Sequence, residues 1–165
     1  VGSEMCIRDR LEGLKFAYIG DGNNMASSWI HAATLLDFEL RLACPEQLSP
    51  DPKVVEWALK NGARIQVTNA PEVAIADADC VSTDVWVSMG DEGVSDRHKL
   101  LRPYQVDERL MALAKSDSIF MHCLPAHRGE EISAELVDAP DTVIWQQAEN
   151  RLHAQKVLME LLIGG

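Results

Sequence analysis

A chain of 165 residues, 47% of them hydrophobic, has the material for one full domain with a sizeable core. Twenty-six Asp and Glu against fifteen Lys and Arg leave a net charge of -11, which opposes approach to nucleic acid or to an anionic membrane surface. No apolar run reaches the roughly 18 to 20 residues that span a bilayer, no charged stretch leads into a signal-peptide core, and Cys6, Cys44, Cys80 and Cys123 contain no C-x-x-C pair, so a soluble, cytoplasmic protein with reduced thiols is expected.

The first ten residues, VGSEMCIRDR, share no periodicity with the rest of the chain and are expected to be a non-native or frayed segment outside the fold. From Leu14 onward, apolar runs alternate with amphipathic stretches, the pattern of βα units around a mostly parallel sheet. Residues 14–19 read as the first strand. A helix over 24–36 comes next, with Met25, Trp29, Ala32 and Leu36 at helical spacing. Residues 39–43 form the second strand, and a helix over 52–60 opens on Pro52 and ends at Asn61-Gly62. Strands three and four fall at 64–67 and 80–83. Helices over 104–114 and 131–137 flank a fifth strand at 118–121, and a sixth strand is expected at 142–145. The last helix, over 148–163, carries Ala154, Val157, Leu158, Leu161 and Leu162 as an apolar stripe. The expected architecture is one α/β domain over 11–165, a three-layer, Rossmann-like fold with a mostly parallel sheet.

The unusual polar residues cluster after strands. GDGNN comes after the first, DVWVSMG after the fourth, HCLPAHRGEE after the fifth and QQAENR after the sixth. In a doubly wound sheet, ligands bind outside the carboxyl ends of the strands where the winding reverses, so a reversal between strands one and four would bring all four motifs to one rim. GDGNN lacks the full G-x-G-x-x-G fingerprint, with Ala26 and Ser27 in place of the later glycine. A helix cap then explains one Asn and leaves the other for a substrate. Asp84 and Ser88 offer an ammonium group one charge partner and one neutral partner, with Trp86 and Met89 as apolar walls. His122, Cys123 and His127 lack a second ligand pair for zinc, so no metal is expected, and Arg128 suits an anion. Arg151 shares the apolar stripe's face near the start of the last helix, a place where an anion is favoured.

Taken in order and spacing, GDGNN, DVWVSMG, HCLPAHRGEE and AENR resemble the ornithine carbamoyltransferase family, specifically its carboxyl-terminal, ornithine-binding domain, over residues 11–165. The resemblance implies that Asn24, Asp84, Ser88 and Met89 contact L-ornithine and that Cys123, Leu124 and Arg151 meet carbamoyl phosphate, with Cys123 and Asp84 as catalytic residues. It implies attack of the ornithine δ-amine on carbamoyl phosphate, giving citrulline and phosphate with no metal or organic cofactor. The family's S-x-R-T-type phosphate loop and H-P-x-Q segment have no counterpart here. The amino-terminal half is therefore expected to be missing, together with the contacts of the family's homotrimer, and the chain alone is expected to be inactive. A putrescine-using relative would differ at the SMG loop. An aspartate-using one would need cations for a second carboxylate and usually lacks the Cys of HCLP. A nucleotide-binding module or a non-catalytic binding domain is the remaining class.

Overall fold

The computed structural model describes residues 11–87, 96–139 and 142–164. Five strands, β1 (Lys15–Ile19), β2 (Glu39–Ala43), β3 (Ile65–Thr68), β4 (Cys80–Thr83) and β5 (Ile119–His122), form one sheet in the order β3-β2-β1-β4-β5. Every pairing is parallel. The winding reverses between β1 and β4, where the motif spacing placed it.

Alternation along β1 builds both faces of the core. Phe16 and Tyr18 join an apolar cluster with Ala26, Ile30 and Ala33 of α1 (Asn24–Leu36) and Ala58 of α2 (Pro52–Lys60). Ala17 and Ile19 point to the opposite cluster. There they meet Ala74 and Ile75 of α3 (Pro71–Ile75), Leu110 of a short helix, α5 (Glu108–Met111), and Val137 of α6 (Ala134–Val137). A further short helix, α4 (Arg97–Leu101), leads into α5, and α7 (Ile144–Ile163) closes the described chain. Helices therefore cover both faces of a buried parallel sheet, as its near-continuous apolar strands require.

Two glycines fix the turn after β1. Gly20 adopts φ 137°, a conformation L side chains avoid, and Gly22 lies against the backbone of the 48–50 segment. A Cβ at Gly22 would fall 2.3 Å from Pro50 N and 2.5 Å from Leu48 O. Only hydrogen fits there, and Gly22 N donates to Leu48 O at 2.7 Å.

Three expectations change. The sixth strand is absent among the described residues, and Ile144 instead begins α7. Val143 and Ile144 bury toward opposite clusters, which reads locally as a strand, but the edge N–H of His122 in β5 is satisfied by Gln147 Oε1 at 2.9 Å and needs no sixth strand. The helices expected over 104–114 and 131–137 shrink to α5 and α6. The chain before each is held extended: Val106 N donates to Glu131 O at 2.9 Å, and Ser133 N donates to Val106 O at 3.0 Å. Finally, the apolar stripe of α7 stays uncovered, with Leu158 55% and Leu161 75% exposed. No helix among the described residues is long and apolar enough to cross a membrane.

Candidate active site

Three loops converge at the carboxyl ends of β1, β4 and β5. Asn23, the N-cap of α1, accepts from Met25 N at 2.9 Å and from Ala26 N at 3.4 Å, the usual way for an Asn to satisfy orphan helix donors. Its Oδ1 also accepts from the hydroxyl of Tyr18 at 3.3 Å, while its Nδ2 donates to Asp84 Oδ2 at 3.0 Å. The amide is thus oriented by its partners on both ends. Asp84, buried at the end of β4, receives two more hydrogen bonds on Oδ1, from Val85 N at 2.8 Å and from Cys123 Sγ at 2.9 Å. Of the carboxylate's roughly four acceptor positions, three are used, and the remaining one is on Oδ2.

The electrostatics follow from this geometry. Burial pushes the Cys123 thiol up to about 12, the hydrogen bond to Asp84 and that carboxylate's charge push the same way, and Arg151 opposes them more weakly. At neutral pH, Cys123 therefore holds its proton and is not a resident thiolate. Tyr18 is likewise raised well above its usual range, first by burial and then by the charge of Asp84.

Leu124 adopts the left-handed φ of 57°, and its N–H donates to His122 Nδ1 at 2.9 Å. The guanidinium of Arg151 donates to the carbonyl of Cys123. Cys123, Leu124, Gln147 and Arg151 form one wall of a cavity of about 530 Å³, with Met25 and Trp29 of α1 on the other. It is large enough for an amino acid beside a small anion.

The structure brings Asp84, Cys123, Leu124 and Arg151 together, and Asn24 stands exposed at the first position of α1 on the same rim. Ser88 and Met89 lie outside the described residues. Trp86 is not an apolar wall but a core residue, only 2% exposed, and its ring meets His98 edge-on at 5.9 Å. Arg128 pairs with Asp138 through two hydrogen bonds of 2.7 and 3.1 Å and has found its anion within the chain. That pairing holds the Asp138 carboxyl below the usual range. Because α7 starts at Ile144, Arg151 sits two turns into the helix and not at its N-terminus.

Several site residues carried no separate signal in the sequence. A helix cap was legible in GDGNN, but not that Asn23 makes it, nor that Asn23 donates to Asp84. Tyr18 and Gln147 reach the site only through tertiary pairing. The buried Asp21 pairs with Arg97, which also donates to Trp86 O at 2.8 Å and so ties the loop after β1 to the loop after β4.

Comparison with known proteins gives the family. A family model described as aspartate/ornithine carbamoyltransferase, Asp/Orn binding domain, matches residues 12–162. An ornithine carbamoyltransferase of Nitrobacter winogradskyi is 50% identical over 157 residues, covering 95% of this chain and 51% of the relative. One from Nitrosococcus oceani is 52% identical over 162 residues, covering 96% of this chain and 52% of the relative. The solved ornithine carbamoyltransferase of Pyrococcus furiosus superposes with a TM-score of 0.89 at 46% identity, across 96% of this chain and 52% of that one. The chain spans about half the length of the curated relatives it matches. With a parallel sheet in this order and a family model matching nearly its whole length, the chain belongs to the aspartate/ornithine carbamoyltransferases and forms their Asp/Orn-binding domain.

Proposed function

We propose that this chain is the amino-acid-binding half of an ornithine carbamoyltransferase, which converts carbamoyl phosphate and L-ornithine to L-citrulline and phosphate. The observation that carries this reading is the Asp84–Cys123 hydrogen bond beside a cavity that also holds Leu124 and Arg151.

The remaining acceptor position of Asp84 Oδ2 takes an N–H of the substrate's α-ammonium, with Asn24 on the same rim and Ser88 and Met89 on the loop after β4 completing the ornithine contacts. Cys123, with its proton committed to Asp84, keeps sulfur lone pairs that accept an N–H of the neutral δ-amine and aim the nitrogen lone pair at the carbamoyl carbon. As the new C–N bond forms, the C–O bond to phosphate breaks and the amine's proton passes to the departing phosphate. Arg151 and the backbone at Cys123 and Leu124 face the anionic reactant. The uncovered stripe on α7 is the surface on which the rest of a full-length protein packs.

Joined to the amino-terminal half of a relative, the chain is expected to release citrulline, whereas the 165-residue chain assayed alone is expected to release none. In the joined protein, Asp84→Asn removes a charge-assisted hydrogen bond worth about 1.5–3 kcal/mol, so ornithine affinity falls roughly ten- to a hundredfold. Carbamoyl phosphate affinity stays unchanged. Calorimetric titration with ornithine, putrescine and NAD decides among the classes. Preference for putrescine or NAD, or an unchanged ornithine affinity in Asp84→Asn, overturns the assignment.

A further inference from the structure

The turn after the Cys123 loop gathers a second set of polar side chains that the reaction does not use. Gly129, at φ 84°, lets residues 127–130 reverse direction, and Glu130 N donates to His127 O at 3.0 Å. One donor atom from each of His127, Glu130 and Glu131 then lies within 4.8 Å of the others. His127 Nδ1 is 4.0 Å from Glu130 Oε2 and 3.9 Å from Glu131 Oε2. His98 Nδ1, a further imidazole, is 3.9 Å from the same Glu130 oxygen.

Glu131 is what separates this cluster from an ordinary solvated acidic patch. Its side chain is fully buried, and its Oε1 accepts from His127 N at 2.6 Å, with His122 Nε2 3.2 Å away. Its Oε2 is also buried and has no hydrogen-bond partner among the described residues. A buried carboxylate oxygen left without a donor is costly and calls for a counter-charge. That oxygen faces the His127 imidazole, which is half exposed and open to an ion from solvent. Zinc bonds of about 2.0–2.2 Å to nitrogen and oxygen need donors roughly 3.5 Å apart, so the two His127 separations must close by about half an ångström, and the pair of carboxylate oxygens, within 4.8 Å of each other, by at most about 1.3 Å.

We propose that His127, Glu130 and Glu131 form a binding site for a divalent transition-metal ion of the zinc class, with one imidazole and two carboxylates as ligands and water at the open position. The ion neutralises the buried Glu131 oxygen. It also ties the turn to β5, because the other oxygen of Glu131 borders His122, whose Nδ1 holds the Leu124 N–H beside Cys123. The site lies outside the ornithine contacts, and the inference stands whether or not the carbamoyl-transfer reading does.

The test is calorimetric titration of zinc into the tag-free 165-residue chain, the His127→Ala variant and the Cys123→Ser variant. His127 is half exposed, so its truncation leaves the core intact, and a melting curve for each variant checks the fold. The expected result is one equivalent bound by the original chain, at least about tenfold weaker binding in His127→Ala, and unchanged binding in Cys123→Ser. Absence of zinc binding overturns the proposal. Equal affinity in His127→Ala, or loss of binding in Cys123→Ser, places the ion elsewhere and overturns it as well.

Discussion

At the scale of single residues, the site rests on which group holds which proton. Cys123 donates to Asp84, Asp84 is anchored from the other side by Asn23, and Asn23 is itself fixed by the cap it makes on α1. This chain of contacts explains why a thiol beside a guanidinium is not activated: burial and the carboxylate together outweigh Arg151. A measurable consequence is slow alkylation of Cys123 by iodoacetamide at about pH 8, since only the thiolate reacts. Removing the carboxylate's charge lowers the thiol's proton affinity and raises the thiolate fraction. Asp84→Asn is therefore expected to speed alkylation of the Cys123 peptide several-fold, as read by mass spectrometry. An unchanged or slower rate would show that Asp84 does not govern the thiol.

At the scale of elements, the turn between β1 and α1 is the most constrained segment of the rim. Its position depends on Gly22 lying flat against residues 48–50, on the Asn23 cap, and on the Asp21–Arg97 pair. Gly22→Ala places a Cβ against backbone atoms that belong to a neighbouring turn and cannot rotate away. Either the 48–50 segment or the whole loop must move. The expected cost is about 1–3 kcal/mol, the range for overpacking, detected as a lower urea midpoint at unchanged slope. Gly62→Ala is the control. Its φ of 83° strains an L residue while nothing lies within 4 Å of the added carbon, so it reports backbone strain alone, whereas Gly22, whose φ is not positive, reports the clash alone.

At the scale of the whole molecule, two thiols make stability depend on pH in the alkaline range. Burial pushes Cys44 up to about 12, and Cys123 reaches about the same value. Both are raised relative to the ordinary thiol value of 9.0, so the folded chain keeps protons that the unfolded chain releases. Their contribution is complete below about pH 9 and is lost progressively as pH rises toward 12. The melting temperature is expected to fall across that window. The fall should be shallower in Cys44→Ala, whatever that variant's stability at neutral pH, and parallel curves for the two proteins would exclude Cys44 as a cause.

How much of this was legible in the sequence differs between the fold and the site. The five parallel strands and the two long helices over 24–36 and 52–60 were readable because local periodicity reports burial, and because capping and glycine signals sit at fixed offsets from the helix ends. GDGNN, DVWVSMG and HCLPAHRGEE could be placed on one rim because each comes directly after a strand, whereas QQAENR lies within α7. Periodicity does not report partners, however. Residues 142–145 are β-branched and apolar as a strand is, but Ile144 opens α7 and the edge N–H of His122 is satisfied by Gln147 in that helix. For the same reason, the two adjacent asparagines looked equivalent until the geometry assigned the cap and the Asp84 contact to Asn23 and left Asn24 exposed. Composition and spacing by themselves determined a parallel α/β domain with a polar rim. The Asp84–Cys123 bond was decided only by the tertiary structure because it joins side chains from separate loops whose approach depends on sheet order, and the orphaned Glu131 oxygen because its burial depends on how one turn packs against the sheet.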